Sequence, residues 1–202
     1  MAAEKLHTGV RQEQIAEAAL HLVASHGIKG LSVAAVARRV GIVPSAIYRH
    51  FHSKDEIFDA VLDLFGTRVI GNVSSVCEET ADPLERLRRL LMRHARLIRE
   101  NEALPRIIFS EEVYNRSAER KARLHGIIQE FLARVAEIVR TGQREGRIRA
   151  DLDPATVSLM FIGLFQPAAI LWHLSDGRFD VTKHTERAWE ILRDAIEAKH
   201  NP

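Results

Sequence analysis

The chain reads as all-α, and three observations predict it. Apolar residues recur at three- and four-residue spacing in one segment after another, and helix caps mark the segment boundaries. No run shows the strict apolar–polar alternation of a half-buried strand, and neither an internal repeat nor a low-complexity tract interrupts the pattern. With 202 residues, 46% of them hydrophobic and 28% charged, the chain is long enough to bury a real core.

Taken in order, Ile15, Ala18, Ala19, Leu22 and Val23 form the stripe of an amphipathic first helix, and Gly27 stands where a positive φ is wanted to end it. Ser32 is placed to cap a second helix with Val33, Val36, Ala37 and Val40 on its inner face, closed by Gly41 after about two turns. Pro44 has its φ preset for a first helical position, and a third short helix is expected from Pro44 to His50 with Ile47 inward and Phe51 packing behind it. In Ser53-Lys54-Asp55-Glu56 the Ser53 hydroxyl can accept from the third helical N–H while Glu56 reaches back to the Ser53 N–H, a capping box that opens a fourth helix through Ile57, Ala60, Val61, Leu64 and Phe65 toward Val73.

Asp82-Pro83-Leu84-Glu85 opens another helix by the same logic, with Leu87, Leu91 and Ile98 on its stripe. Leu124 through Val139 keeps helical period until Gly142 and Gly146. Asp153-Pro154 then precedes the most apolar stretch, Val157 to Leu174, which approaches membrane-spanning length but is interrupted by Ser158, Gln166, Pro167 and His173. It is expected to be a core or interface helix outside any membrane. A last amphipathic helix carries Ala188, Trp189, Leu192, Ala195 and Ile196.

The formal net charge of +2 hides a segregation. Up to Lys54 there are seven Lys and Arg against three Glu, a balance of +4, which leaves −2 for the remainder. A basic amino-terminal quarter on a mildly acidic body suggests that the two parts meet different partners. Cys77 is the single cysteine, so no intramolecular disulfide and no CxxC motif can form, and Met1 to Val10 lack the apolar stretch of a signal peptide. A cytoplasmic location is expected.

Several arrangements that could carry chemistry do not close. His50-x-His52 supplies two histidines without a third ligand nearby, so no metal site is expected. His94, His125 and His173 are scattered, and Glu111-Glu112 diverge around a helix. Without HExxH, a P-loop, GxGxxG after a strand or a Cys/His pair, neither an enzyme nor a cofactor is expected.

The two short helices Ser32–Val40 and Pro44–His50, joined by Gly41 and Ile42, have the form of a helix-turn-helix, in which the first helix braces the second so that it enters a DNA major groove. Residues 11–65 resemble the DNA-binding domain of the TetR family of bacterial transcriptional regulators. The resemblance rests on Ile15-Ala16-Glu17-Ala18-Ala19-Leu20-His21-Leu22, then Val36-Ala37-Arg38-Arg39-Val40-Gly41-Ile42. Above all it rests on Ile47-Tyr48-Arg49-His50-Phe51-His52-Ser53-Lys54-Asp55-Glu56-Ile57, similar to that family's Y-x-x-F-x-S/N-K-x-x-L/I signature. The stretch from Gly142 through Gly146 to Pro154 is similar as well.

The resemblance implies a helix-turn-helix at about 31–50 within a DNA-binding domain over 8–68, and an effector-binding and dimerisation domain over 69–202. It places Tyr48 and Lys54 on DNA phosphates and directs Pro44, Ser45, Ala46 and Arg49 at bases, where Arg49 could fork onto guanine or hold a phosphate and Ala46 could touch a thymine methyl. Ser32, one or both of Arg38 and Arg39, His50 and His52 complete the expected contacts. Val40 and Pro44 depart from the residues frequent in the family, which bears on base preference more than on fold.

In similar proteins the last two helices pair with their twofold mates. Leu164, Ala168, Leu171, Trp189, Leu192 and Ile196 are therefore the expected dimer contacts. The expected effector pocket draws on Met92, His94, Phe109, Tyr114, Phe131, Phe165 and Trp172, for an apolar or aromatic small molecule. Double-stranded DNA with a pseudo-palindromic operator is the expected macromolecular partner. Two other readings stand beside this one: an adaptor that keeps the fold without binding DNA, and a helical-pocket enzyme with His94 or His173 as base.

Overall fold

The computed structural model describes residues 2–100, 110–114 and 117–199, which divide into two compact units. The first comprises the described residues of Met1–Arg68 and Asn101–His125, the second those of Val69–Glu100 and Gly126–Pro202. Helices account for both, and among the described residues the only β-type pairing is an isolated bridge between Ile148 and Glu197.

In the first unit, α1 (Ala2–His26) lies on α2 (Val33–Val40), which packs on α3 (Pro44–Ile47). The stripe Ile15, Ala18, Ala19, Leu22 and Val23 is buried, as are Val36, Ala37 and Ile47 opposite it. A fully buried Ile, Leu or Phe contributes about 1.5–3 kcal/mol each, so these side chains fix α2 and α3, both too short to be stable alone, against the longer α1. The turns are set locally. A 3₁₀ turn over Ile28–Gly30 follows Gly27, whose φ of 69° only glycine takes without strain. The Ser32 hydroxyl accepts from the Ala35 N–H at 3.1 Å to open α2, and Gly41 at φ 78° closes it.

The third helix is shorter than the sequence predicts. α3 ends at Ile47, and the chain continues to His50 as a tighter turn in which the His50 N–H donates to the Ile47 carbonyl at 2.8 Å. The Phe51 N–H also reaches the Ile47 carbonyl, at 3.0 Å, and both Ile47 and Phe51 are buried. Packing of those two side chains pulls this turn closed.

Next come α4 (Lys54–Glu79), α5 (Pro83–Glu100), α6 (Glu111–Tyr114) and α7 (Ala118–Arg144). The Glu56 N–H donates to the Ser53 hydroxyl at 3.1 Å, but the Glu56 carboxylate accepts from the His52 N–H, at 2.7 Å, rather than from Ser53. The cap is the expected one moved back by one donor. Asp82 caps α5 through the N–H groups of Leu84 and Glu85.

The second unit is built from the ends of α4 and α7 with α5, α8 (Pro154–Leu174) and α9 (Val181–Ile196). One cluster of its core gathers Ala95 and Ile98 of α5, Ala168 and Ala169 of α8 and Val181 of α9, with Phe165, Trp172 and Phe179 packed against them. α8 is long and apolar enough, by length and composition, to cross a membrane. Its buried face, Val157, Ser158, Phe161, Ala168 and Ala169, is taken up by the unit's own core.

Candidate nucleic-acid interface

The helix-turn-helix leaves its polar and cationic side chains outside. Pro44, Ser45, Tyr48 and Arg49 of the third helix and its following turn are exposed, Ala46 is half-buried, and Ile47 faces fully inward. Tyr48 is 51% exposed, so its ring is no core residue despite its place between two buried side chains. Arg38, Arg39, Ser32, His52 and Lys54 are exposed too. Lys54 opens α4, where unsatisfied N–H groups add positive potential to its ammonium. Together these groups give one unit a set of hydrogen-bond donors around a short helix, the arrangement a phosphate backbone and a base edge require.

His50 differs from its neighbours. It is half-buried, its Nδ1 is enclosed without a hydrogen-bond partner, and its carbonyl accepts from the Gln12 side chain at 3.3 Å. It braces the turn against α1 more than it presents to solvent. Val43 just before α3 is 64% exposed, an apolar side chain at the reading edge that the charge pattern gave no reason to single out.

Of the side chains expected around an effector, the structure brings His94, Phe131 and Phe165 together. The His94 ring lies 5.0 Å from Phe131 and 4.6 Å from Phe165, and Phe161 stands 6.2 Å from Phe165 in an edge-on arrangement. Phe161 was legible one turn before Phe165 on the same helix face but carries no polar signal. His94 is buried, its Nδ1 is 3.0 Å from the Leu90 carbonyl, and desolvation pulls its pKa down to about 4. A neutral imidazole therefore sits in an aromatic nest. Met92 is half-buried, and Trp172, like Phe165, packs against the cluster of α5, α8 and α9, its indole lying against Gly177. Phe109 and the Tyr114 side chain fall outside the described residues.

The expected dimer contacts divide by face. Ala168, Trp189, Leu192 and Ile196 are all at most 3% exposed within one chain, because they fill the core shared by α5, α8 and α9. Leu164 is half-buried and Leu171 is 48% exposed. The apolar side chains actually outside are Leu159, Met160, Ile170, Leu171 and Leu174 on α8 and Ile191 on α9. An amphipathic helix spends its broad apolar face on its own chain first, so an interface draws on the residues left outside that face.

Residues 15–61 match the family of bacterial regulatory proteins of the tetR type, and residues 80–196 match a tetracyclin repressor-like C-terminal domain. The chain belongs to the TetR family. As a member of it, the protein is a DNA-binding transcriptional regulator with an amino-terminal helix-turn-helix and a carboxy-terminal helical domain.

Relatives of this TetR-family chain span nearly its whole length. The nucleoid occlusion factor SlmA of Vibrio vulnificus strain YJ016 is 23% identical over 93% of this chain and 96% of its own. The fatty acid metabolism regulator protein of Bacillus subtilis strain 168 is 23% identical over 92% and 95%. Among solved structures, the transcriptional regulator FadR from Bacillus subtilis in complex with stearoyl-CoA has a TM-score of 0.76 at 22% identity, covering 91% of this chain and 98% of that one. A TetR transcription regulator from Haloarcula marismortui reaches a TM-score of 0.80 at 19% identity over 94% and 99%. At such identity the structures share the fold.

Sequence reasoning missed Arg120. It is 8% exposed and sits between two aspartates of α4. In sequence it is one of several arginines on an amphipathic helix, and only the fold marks it.

Proposed function

We propose that the protein is a homodimeric repressor that reads a pseudo-palindromic operator and is released from it by a small apolar effector. The observation that carries the DNA-reading part is the exposed set Ser45 on α3, Tyr48 and Arg49 in the turn after it and Lys54 at the start of α4, around the buried Ile47 and Phe51. In this reading Tyr48 and Lys54 hold phosphates, Arg49 reads a base edge or holds a phosphate, and Arg38 or Arg39 with Ser32 and His52 adds backbone contacts. The reading takes residues 8–68 as the DNA-binding domain and 69–202 as the effector and dimer domain. Two such heads about 34–36 Å apart read half-sites in successive major grooves.

The dimer face in this reading is the outward stripe Met160, Ile170, Leu171, Leu174 and Ile191, with Leu164 at its edge. The effector enters beside His94, Phe131 and Phe165. Their neutral, aromatic character favours an apolar ligand, and the stearoyl-CoA bound by the Bacillus subtilis FadR is support for a ligand with a long hydrocarbon part. To release DNA, the ligand must prefer the dimer in which the heads no longer match the half-site spacing. The cytoplasm, where the DNA is, is the corresponding location.

The test is a gel shift with full-length protein on DNA fragments from upstream of its own and neighbouring genes. Sequence-selective binding that weakens with salt supports the reading; affinity for no fragment beyond random DNA sinks it. Adding stearoyl-CoA as a probe to the bound complex then tests release.

A further inference from the structure

One guanidinium, that of Arg120, bridges α7 to the first turns of α4 within the unit that carries the helix-turn-helix. Arg120 donates from Nε to Asp59 Oδ1 at 2.7 Å and from Nη2 to Asp55 Oδ1 at 2.9 Å. The same Nη2 donates to the Asp55 backbone carbonyl at 3.1 Å, and the guanidinium carbon stands 4.9 Å from the centre of the Phe58 ring. Its own main chain is held as well, the Arg120 N–H donating to the Ser117 hydroxyl at 3.2 Å. One turn on, Arg123 donates to Asp63 and to the Asp59 carbonyl.

An enclosed guanidinium forgoes hydration, and two carboxylates, a carbonyl and a ring face compensate it. A well-packed apolar side chain would hold two helices together equally well. What the fork adds is direction: it grips the peptide of Asp55, the residue that follows Lys54. Exposed Asp55 needs no partner for solvation, its side chain being 77% exposed, so the grip constrains the helix end rather than rescuing a buried charge.

We propose that Arg120 is a positioning residue for DNA binding, holding the Asp55 peptide and the first turn of α4 in the orientation from which Lys54 reaches a DNA phosphate. This rests on the reading of Lys54 as a phosphate contact given above. Arg120 touches no DNA and acts through Lys54.

The experiment is a double-mutant cycle in the full-length protein. Binding is measured on a duplex that the wild-type chain selects from a randomised pool, at several salt concentrations. Lys54→Ala is expected to weaken binding about tenfold and to reduce the salt slope by about one. Arg120→Ala is expected to weaken binding to a similar extent. Adding Lys54→Ala to Arg120→Ala then costs less than about twofold more, a non-additivity that general loss of stability does not produce. Arg120→Lys, which keeps the charge but cannot fork onto two carboxylates, recovers part of the affinity. Asp59→Asn, a change of charge without change of shape, shows the same non-additivity with Lys54→Ala on a smaller scale and serves if Arg120→Ala does not fold.

Effects of Arg120 and Lys54 that simply multiply would overturn the positioning role while leaving Lys54 on its phosphate. A Lys54→Ala protein that binds as the wild type does removes the phosphate contact itself, and the positioning role with it.

Discussion

Tyr48, Arg49 and Lys54 occupy one short exposed stretch, yet they are expected to answer differently to substitution. If Tyr48 and Lys54 hold phosphates as proposed, Tyr48→Phe and Lys54→Ala weaken binding on every sequence by a similar factor. If Arg49 reads a base edge, Arg49→Ala instead changes which base is preferred at one position, with about 1–3 kcal/mol of discrimination lost. Binding-site selection with each variant checks this, and an equal loss on all sequences with Arg49→Ala contradicts base reading. All three positions were legible, because a Y-x-x-F-x-S-K pattern around a short helix fixes which face is wet.

His94 was legible as a candidate, but its burial and the rings it meets were not. The sequence offers His94 as one of seven pocket candidates, and the structure sets it against two of them, Phe131 and Phe165, and depresses its pKa to about 4. An unfolded histidine titrates near 6.5. The unfolded chain therefore binds a proton between those values that the folded chain refuses, and stability present above about pH 6.5 is lost as pH falls toward 4. At pH 5 the loss is about 2 kcal/mol. Thermal unfolding at pH 7 and pH 5 should show wild type losing several degrees more than His94→Gln, which cannot titrate. Equal losses in the two proteins would mean that His94 already meets water.

At the scale of elements, caps and stripes carried most of the fold. The α1 stripe is buried throughout, and Ser32, Ser53, Asp82 and Asp153 all accept the N–H bonds that open their helices. Two details escaped because tertiary packing decided them. α3 stops at Ile47, since burying Ile47 and Phe51 together closes the following turn. Trp189, Leu192 and Ile196 point into their own unit, and no periodicity distinguishes a face that meets its own chain from one that meets a second copy.

Gly142 lies inside α7, two residues before its end at Arg144, and Gly146 at φ 67° is the glycine that follows the helix, so the need for glycine at 142 comes from packing. A Cβ on Gly142 would stand 2.6 Å from Ile148 Cδ1, 2.7 Å from Ile148 Cγ1 and 3.1 Å from Pro83 Cβ. Ile148 is itself pinned by the bridge to Glu197, with the Arg149 N–H donating to the Ile196 carbonyl at 2.9 Å. Gly142→Ala should therefore destabilise by about 1–3 kcal/mol through overpacking. Denaturant unfolding measures it, and an unchanged midpoint would mean that Ile148 yields freely.

For the whole molecule, the outward apolar side chains of α8 and α9 set the expectation. Leu174 and Ile191 are each 74% exposed in a single chain, more than the other large apolar side chains among the described residues. Leu174→Glu with Ile191→Glu should shift the protein from dimer to monomer in sedimentation and, in doing so, abolish tight binding to a two-half-site duplex while leaving weak binding to random DNA. A doubly substituted protein that still sediments as a dimer would place the interface elsewhere. The opening charge arithmetic also resolves at this scale: the +4 up to Lys54 falls in the helix-turn-helix unit, where Arg38, Arg39, Arg49 and Lys54 all face outward.

The most direct measurement is selection of binding sites by the full-length protein from a randomised duplex pool, followed by titration of the winning duplex against salt. The account predicts a pseudo-palindrome with half-site centres about one helical turn, or a whole number of turns, apart, bound with an affinity that falls steeply as salt rises. Enrichment of no sequence, or of a single unrepeated half-site bound equally well by the monomeric variant, would contradict it.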